Sequence, residues 1–490
     1  MTSSSISSKR WAVLALVVIA QFMVILDVAI VNVALPAIEA DLGFSQQSLQ
    51  WVITAYAIVF GGALLLGGRL ADLLGRRRIF LAGVAVFTAS SLLSGLAWSE
   101  EALIVSRALQ GLGGALLAPA SLSILMTTFQ EGRERNLALG LWGAASGSGG
   151  AAGVLLGGVL TSYLSWPWIF FINVPVGVAV LALTPFLLNE TRGSAYGRRH
   201  FDLAGAASVT SGIMLLVYGL TRGTDDGWTS RTTIGFLSAA AVLIVGFVVI
   251  ELRSQAPLLP MRLFRLRTLT AANATAVLIA ATAFSWWFVQ TLYMQQVLHY
   301  SAIQAGLAFA PLAVTIALFS NVAQTLVTRF GVRPVLSVGL LLTATSLGLL
   351  ARVPVEGHFF WDLFPAFMLG AVGLSLSFVP VTIGGLTGVG PGDAGVASGL
   401  INTSRQIGGA VGLAAISTVA TTFTNQYEDA HPGSASSAAA LTHGFTSSFY
   451  VLAAFAFAGA VIAATLIRPA PRRPIESPQD ESLNPVEEAA

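Results

Sequence analysis

Three charged side chains stand inside long apolar runs: Asp27, Arg107 and Arg405. An ionised group in hydrocarbon is costly, so each needs a partner or a task. Of the 23 acidic residues, Asp27 alone falls deep in such a run. If that run ends near Leu35, Asp27 lies about 12 Å below its end, at a rise of 1.5 Å per residue. Arg107, counted from the start of its own run near Ala102, lies about 8 Å below the same face. A carboxylate and a guanidinium at similar depth can form a proton switch. Removal from water favours the neutral acid, an adjacent cation favours the carboxylate, and a change in pairing moves the proton. The same groups can instead be a static pair locking two helices, or face different neighbours. Arg405 stands in Asn402-Thr403-Ser404-Arg405-Gln406 with no carboxylate nearby in sequence. It suits hydrogen bonds to exposed carbonyls, or an anionic group.

A second constellation lies between two apolar runs. Asp72 and Gly75 precede Arg76-Arg77-Arg78. The arginines read as a positive-inside stop signal, but Asp72 suits docking on the positive N-terminus of another helix, with the helix starting near Gly395 as candidate. Such a contact would hold the cytoplasmic side shut. Gly149, Gly153 and Gly157 recur every four residues, forming one bare stripe that admits a neighbouring helix closely. Aromatic and amide side chains that could line a cavity are Phe22, Asn32, Tyr56, Trp142, Trp287, Gln290, Tyr293 and Gln406.

Other chemistries are excluded by what is scarce. There is no cysteine, which removes disulfides, iron–sulfur clusters and thiolate zinc sites, and no two of the 5 histidines stand at ligand spacing. Lys9 is the single lysine and follows Ser8, so no phosphate-binding Gly-Lys-Ser/Thr loop exists. No metal, cofactor or nucleic-acid partner is expected, and no nucleophile motif supports an enzyme.

The elements that must position these residues are membrane helices. Hydrophobic residues make up 55% of the 490 and charged residues 10%, against roughly 25% charge in soluble domains; mean hydropathy is +0.78. Fourteen stretches reach the roughly 20 apolar residues that a bilayer requires, the first over 11–35. An even count places both termini on one side. With that side cytoplasmic, basic residues outnumber those on the outer side by twenty to three, as the positive-inside rule demands. The expected fold is all-α and polytopic: two six-helix pseudo-repeat bundles plus a two-helix central insert. The divisions are 1–190 (helices 1–6), 191–268 (a linker with helices 7–8), 269–467 (helices 9–14) and 468–490, a Pro/Glu-rich cytoplasmic tail expected to be disordered. A weak repeat supports the halves: aligning Gly75 with Gly331 places Arg77 on Arg333.

These motifs together resemble the major facilitator superfamily, and specifically its fourteen-helix drug:proton antiporter branch, over nearly the whole chain. The resemblance rests on Leu26 to Pro36 with Asp27 and Asn32; on Gly68 to Arg78 after the second span; on Arg107, Gln110, Gly111 and Gly113 in the fourth; and on Phe170-Phe171-Ile172-Asn173-Val174-Pro175-Val176-Gly177 in the sixth. It implies alternating access driven by proton influx, with protons as the coupling ion, and export of amphipathic drugs or natural products across the inner (cytoplasmic) membrane of a bacterium. It also implies a lipid-embedded monomer. A dedicated exporter of a single endogenous metabolite or lipid-like compound is the alternative. By motif position, Asp27 would be the carboxylate for which proton and substrate compete, Arg107 would assist protonation, Asp72 and Arg76 would belong to the cytoplasmic gate, and helix 5 would be the flexible helix. Two departures stand out. Val154 takes the place of the branch's helix 5 proline, so that helix should bend less there, and Trp166-Pro167-Trp168 lacks the usual central arginine. No second carboxylate is embedded in the C-terminal half, which suits monovalent cationic or neutral substrates.

Overall fold

The computed structural model describes residues 3–44, 46–191, 202–254, 257–431 and 437–468. Those residues contain helices and no strands. In chain order the long helices are α1 (Ser3–Leu42), α2 (Trp51–Leu74), α3 (Arg76–Gly95), α4 (Glu100–Thr128), α5 (Arg133–Tyr163), α6 (Trp168–Leu187), α7 (Leu203–Asp225), α8 (Arg231–Arg253), α9 (Arg267–Leu292), α10 (Ala302–Phe330), α11 (Val332–Leu350), α12 (Phe364–Leu386), α13 (Ala394–Ala430) and α14 (Ala438–Leu466). Thirteen are long and apolar enough to cross a bilayer as they stand. α5 makes the fourteenth as two segments, Arg133–Gly150 and Leu155–Tyr163, bent by 44°. The helix is bent there with valine, not proline, at position 154. Gly149, Gly150 and Gly153 surround the break, and glycine runs loosen a helix without proline. α1 also differs from expectation, running past Leu35 and through Pro36 to Leu42. The tail over 469–490 and the linker over 192–201 lie outside the described residues.

α1 to α6 form one bundle and α9 to α14 the other. Within them α4 packs on α2 and α3, and α12 on α11. The halves repeat in detail. Each turn after the second helix is made by a glycine with positive φ, Gly75 (φ 113) and Gly331 (φ 85), a conformation that a side chain would strain. Eight residues on, each half has a glycine crossing. A Cβ on Gly113 would lie 2.5 Å from the backbone nitrogen of Phe87 and 3.0 Å from the carbonyl of Gly83. One on Gly373 would lie 2.7 Å from the nitrogen of Thr343 and 2.8 Å from the carbonyl of Gly339. Without side chains, the backbones touch.

The halves meet through α5 against α10 and α2 against α13, and the α7–α8 hairpin leans on α2 and α13. A polar chain fastens this hairpin to the end of the seam where α13 begins. Glu251, 3% exposed, accepts from the backbone N–H groups of Leu258 (3.0 Å) and Leu259 (3.1 Å). The short 3₁₀ turn Met261–Arg265 follows. Its Arg262 pairs with Asp393 at 2.8 Å, one residue before α13 begins.

Candidate functional site

Asp27 sits on α1 with no exposed surface, and Arg107 on α4 is 1% exposed. Arg107 Nη1 donates to Asp27 Oδ2 at 2.6 Å. Gln110 Nε2 donates to Asp27 Oδ1 at 2.7 Å, and Asn173 Nδ2 from α6 donates to the same oxygen at 2.9 Å. The carboxylate thus collects three donors from two helices. Asn173 Nδ2 also reaches Ser91 Oγ on α3 (3.0 Å), and Ser91 Oγ donates to the carbonyl of Phe170 (2.9 Å). Gln110 follows Arg107 by one turn, so both face α1. The sequence reading paired Asp27 with Arg107 but gave no site role to Gln110 or Asn173. The available signals were that i, i+3 spacing and a lone asparagine in an apolar span.

Arg107 has further partners. Its Nε donates to the carbonyl of Val52 (3.1 Å), and its Nη1 also reaches Gln110 Oε1 (2.6 Å). The guanidinium lies 4.5 Å from the Tyr56 ring centroid and 5.5 Å from that of Phe170, each a cation–π contact. Arg107 is thus held by neutral groups as well as by Asp27.

The glycine stripe of α5 lies against this same turn of α1. A Cβ on Gly149 would meet Ile25 at 2.9 Å, one on Gly153 would meet Ala29 at 2.7 Å, and one on Gly157 the carbonyl of Ile30 at 2.9 Å. The bend in α5 is thus set beside Asp27.

At the end of the seam where α13 begins, Asp72 is buried and accepts from the backbone N–H groups of Gly395 (3.1 Å) and Val396 (3.0 Å). The docking on the start of α13 is present as expected, with the helix dipole favouring the carboxylate. Arg76 pairs with Asp72 at 2.9 Å, donates to Ser123 Oγ at 2.6 Å, and donates to the carbonyl of Pro391. Gly68 is in backbone contact with Gly395: an added Cβ would lie 2.2 Å from the Gly395 carbonyl oxygen. Asn136 Nδ2 on α5 donates to Thr328 Oγ1 on α10 at 3.0 Å. These contacts join the two halves at this end of the seam. Gly75 takes a supporting part: Glu190 packs over it and accepts from the N–H of Arg77 (3.2 Å).

The aromatic and amide candidates separate. Tyr56 joins the Asp27 network through Arg107, and Phe22 lines a cavity between α1, α5 and α6. Asn32 is exposed and donates to the carbonyl of Val28 on its own helix (3.0 Å). Trp142, 1% exposed, is a core residue bonded to Ser121 (3.3 Å). Trp287 stacks edge-on with Phe284, Tyr293 donates to the carbonyl of Pro354 (2.6 Å), and Gln406 packs over Gly61 on the seam between the halves. Gln290 is buried and, among the described residues, has no partner on either end of its amide. Among the described residues, no hydrogen bond or ring contact joins these six to Asp27. Arg405 donates to the carbonyl of Phe378 (3.4 Å) and the hydroxyl of Thr382, with its guanidinium 5.6 Å from the Phe378 ring centroid. Of its two sequence readings, this is the carbonyl one. Among the described residues, no cluster of metal-ligating side chains exists.

The second half shows what stands in Asp27's place. Counting back from Gly373 as from Gly113, Phe367 corresponds to Arg107 and Gly370 to Gln110. Trp286 on α9 meets Phe367 edge-on at 6.2 Å, and a Cβ on Gly370 would lie 2.3 Å from its ring. An indole thus fills the position that the carboxylate holds in the first half.

Residues 17–413 match the profile of the Major Facilitator Superfamily. The chain is 39% identical over 465 residues to a cephamycin export protein of Amycolatopsis lactamdurans, covering 94% of each chain. It is 37% identical to a puromycin resistance protein of Streptomyces alboniger, covering 94% of this chain and 90% of that one. It is 35% identical to the multidrug resistance protein Stp of Mycobacterium tuberculosis, covering 81% and 73%. Among solved structures, the human organic anion transporter MFSD10 superposes with a TM-score of 0.66 at 16% identity, over 93% of this chain and 99% of that one. That likeness concerns the fold.

Proposed function

The chain belongs to the major facilitator superfamily, and from that premise we propose that it is a proton-driven antiporter exporting amphipathic drugs or natural products by alternating access. The observation that carries this reading is the sealed carboxylate of Asp27, held by Arg107, Gln110 and Asn173 from two other helices. Unprotonated, it ties α1 to α4 and α6 through charge-assisted bonds. A proton on either oxygen removes an acceptor and frees α1 to shift against the glycine stripe of α5. Arg107 remains seated on Val52, Gln110 and Tyr56, and its charge restores the carboxylate once the site opens to the cytoplasm. The Asp72 docking on α13 closes the cytoplasmic side in this state; opening that side requires Gly395 and Val396 to leave it. Protons are the coupling ion in this scheme and no cofactor takes part. The protein would act as a monomer in the cytoplasmic membrane with both termini inside, as the arginine distribution favours.

The relatives' names support export of antibiotics. Two of them name one compound each, which favours the second reading, a dedicated exporter of one metabolite. Efflux of a lipophilic cationic dye from proteoliposomes under an imposed pH gradient tests the proposal. Dye movement that requires the gradient and Asp27 supports it. No movement across a broad panel of compounds favours the dedicated exporter.

A further inference from the structure

α5 packs on the first turn of α6 and parts from its body, with α1 as the floor between them. The gap is a cavity of about 640 Å³. It runs along α1 from Trp11 to Leu26, about 22 Å at helical rise. Trp11 (37% exposed) and Ile19 (49% exposed) stand on its open side, and every lining residue belongs to the first half. The walls are apolar, including Phe22, Leu26 and Ala144. Ser148 and Asn173 are the polar exceptions, and Ser148 donates its hydroxyl to the Ala144 carbonyl at 2.8 Å. Asn173 is different. Both N–H groups are committed, to Asp27 and to Ser91, while its amide oxygen accepts no hydrogen bond among the described residues. A slot of drug-sized volume therefore ends at a free acceptor, one residue from the proton-binding carboxylate.

We propose that this slot is a binding site for substrate arriving from the lipid, distinct from the seam between the halves. It takes an amphiphile with an aromatic or alkyl body and a hydrogen-bond donor head, an amine or an alcohol, whose N–H or O–H donates to Asn173 Oδ1. A phospholipid acyl chain would fit the walls but offers no donor to the acceptor. A bound head would polarise the same amide that donates to Asp27, so occupancy and proton affinity are linked through one side chain. The proposal names an entry site for the exporter reading above and rests on it for the word substrate; binding itself requires no gradient.

The test uses the full chain in phosphatidylcholine nanodiscs and two photoreactive probes, an aryl-diazirine alkylamine and its headless hydrocarbon analogue. The expected result is saturable labelling by the amine probe within residues 11–26, 141–156 and 172–176. Ala144→Trp, which fills the slot, and Asn173→Ala, which removes the acceptor, each reduce that labelling about tenfold. Ala15→Trp, at the exposed rim, gives the same loss without touching the Asp27 network. Equal labelling by the headless probe, indifferent to all three substitutions, would make the slot a lipid-chain groove and overturn the proposal. So would labelling concentrated on Tyr56 and Gln406. Because labelling is read without a pH gradient, a failure of proton coupling in the dye assay leaves this outcome untouched.

Discussion

Replacing Asp27 by asparagine keeps the shape of the side chain and removes its charge. The carboxylate accepts from Arg107 on one oxygen and from Gln110 and Asn173 on the other. Asparagine has one acceptor oxygen and two N–H donors. If the oxygen serves Gln110 and Asn173, an N–H faces Arg107; if it serves Arg107, an N–H faces the two amides. Removing one member of a buried ion pair typically costs about 3–5 kcal/mol. Here the guanidinium keeps the Val52 carbonyl, Gln110 Oε1 and the Tyr56 face, and the cation–π part alone is worth about 0.5–2 kcal/mol. The net expected loss is about 2–4 kcal/mol, with the fold retained. In transport, Asp27→Asn imitates the proton-loaded carboxyl permanently. Gradient-driven dye efflux from proteoliposomes should fall to the protein-free background. Dye-for-dye exchange without a gradient should stay within about threefold of wild type, since a change below about 0.7 kcal/mol is expected for a step that needs no proton transfer. Full gradient-driven efflux by Asp27→Asn would refute the reasoning, because the proton would then travel elsewhere.

Other perturbations have defined outcomes. Asp72→Asn weakens two contacts across the seam and the pairing with Arg76 beside it, which at about 3 kcal/mol shifts the closed–open balance about 100-fold toward open; because the chain has no cysteine, maleimide labelling of a single Ser398→Cys reports that opening directly, and unchanged labelling would dismiss the gate. Gly68→Ala should open the same side, since its Cβ meets the Gly395 backbone, whereas Gly113→Ala, which meets Phe87 within one half, should lower thermal stability without raising Ser398→Cys labelling. Gly150→Ala places a Cβ in open space and should raise unfolding stability by about 0.5–1 kcal/mol through helix propensity; a lower melting temperature would contradict the geometry at the bend of α5. Glu251→Ala leaves the amides of Leu258 and Leu259 without their acceptor, and their hydrogen exchange should quicken by about tenfold; unchanged rates would show that the carboxylate does not hold that turn.

The pairing of Asp27 with Arg107 was legible because both stand in apolar runs and both depths can be counted from one membrane face. The count was less sound than its result. α1 continues to Leu42, since hydropathy marks where lipid ends and not where a helix ends, and Pro36 did not stop it. Gln110 and Asn173 went unassigned because an uncharged amide in a span announces no cost, and only the packing of α4 and α6 shows which face it takes. Val154 alone does not tell how far α5 bends, and glycines stand around the break. The aromatic candidates show the limit of choosing by residue type. Trp142 and Tyr56 are alike in sequence terms, yet one fills a core and the other covers the Arg107 guanidinium. Asp72 was the opposite case: a carboxylate beside arginines and a glycine-led helix start far along the chain were enough to name the contact.

The indole of Trp286 has an electrical consequence. Asp27 is the one carboxylate buried midway along a described span; the other buried ones, Asp72 and Glu251, occupy the last turns of α2 and α8. With an aromatic ring in the matching place of the second half, a cycle of the proposed antiport would carry one proton inward. Exchanged for a neutral molecule, that proton moves one net charge, and a potential of 100 mV adds about 2.3 kcal/mol to the driving force. Exchanged for a monocation, it moves none, and voltage contributes nothing; each unit of pH difference then supports about a tenfold concentration ratio. A dication would leave against the voltage. Current measurements on supported membranes would therefore sort substrates by charge: inward current with neutral compounds, silence with monocations.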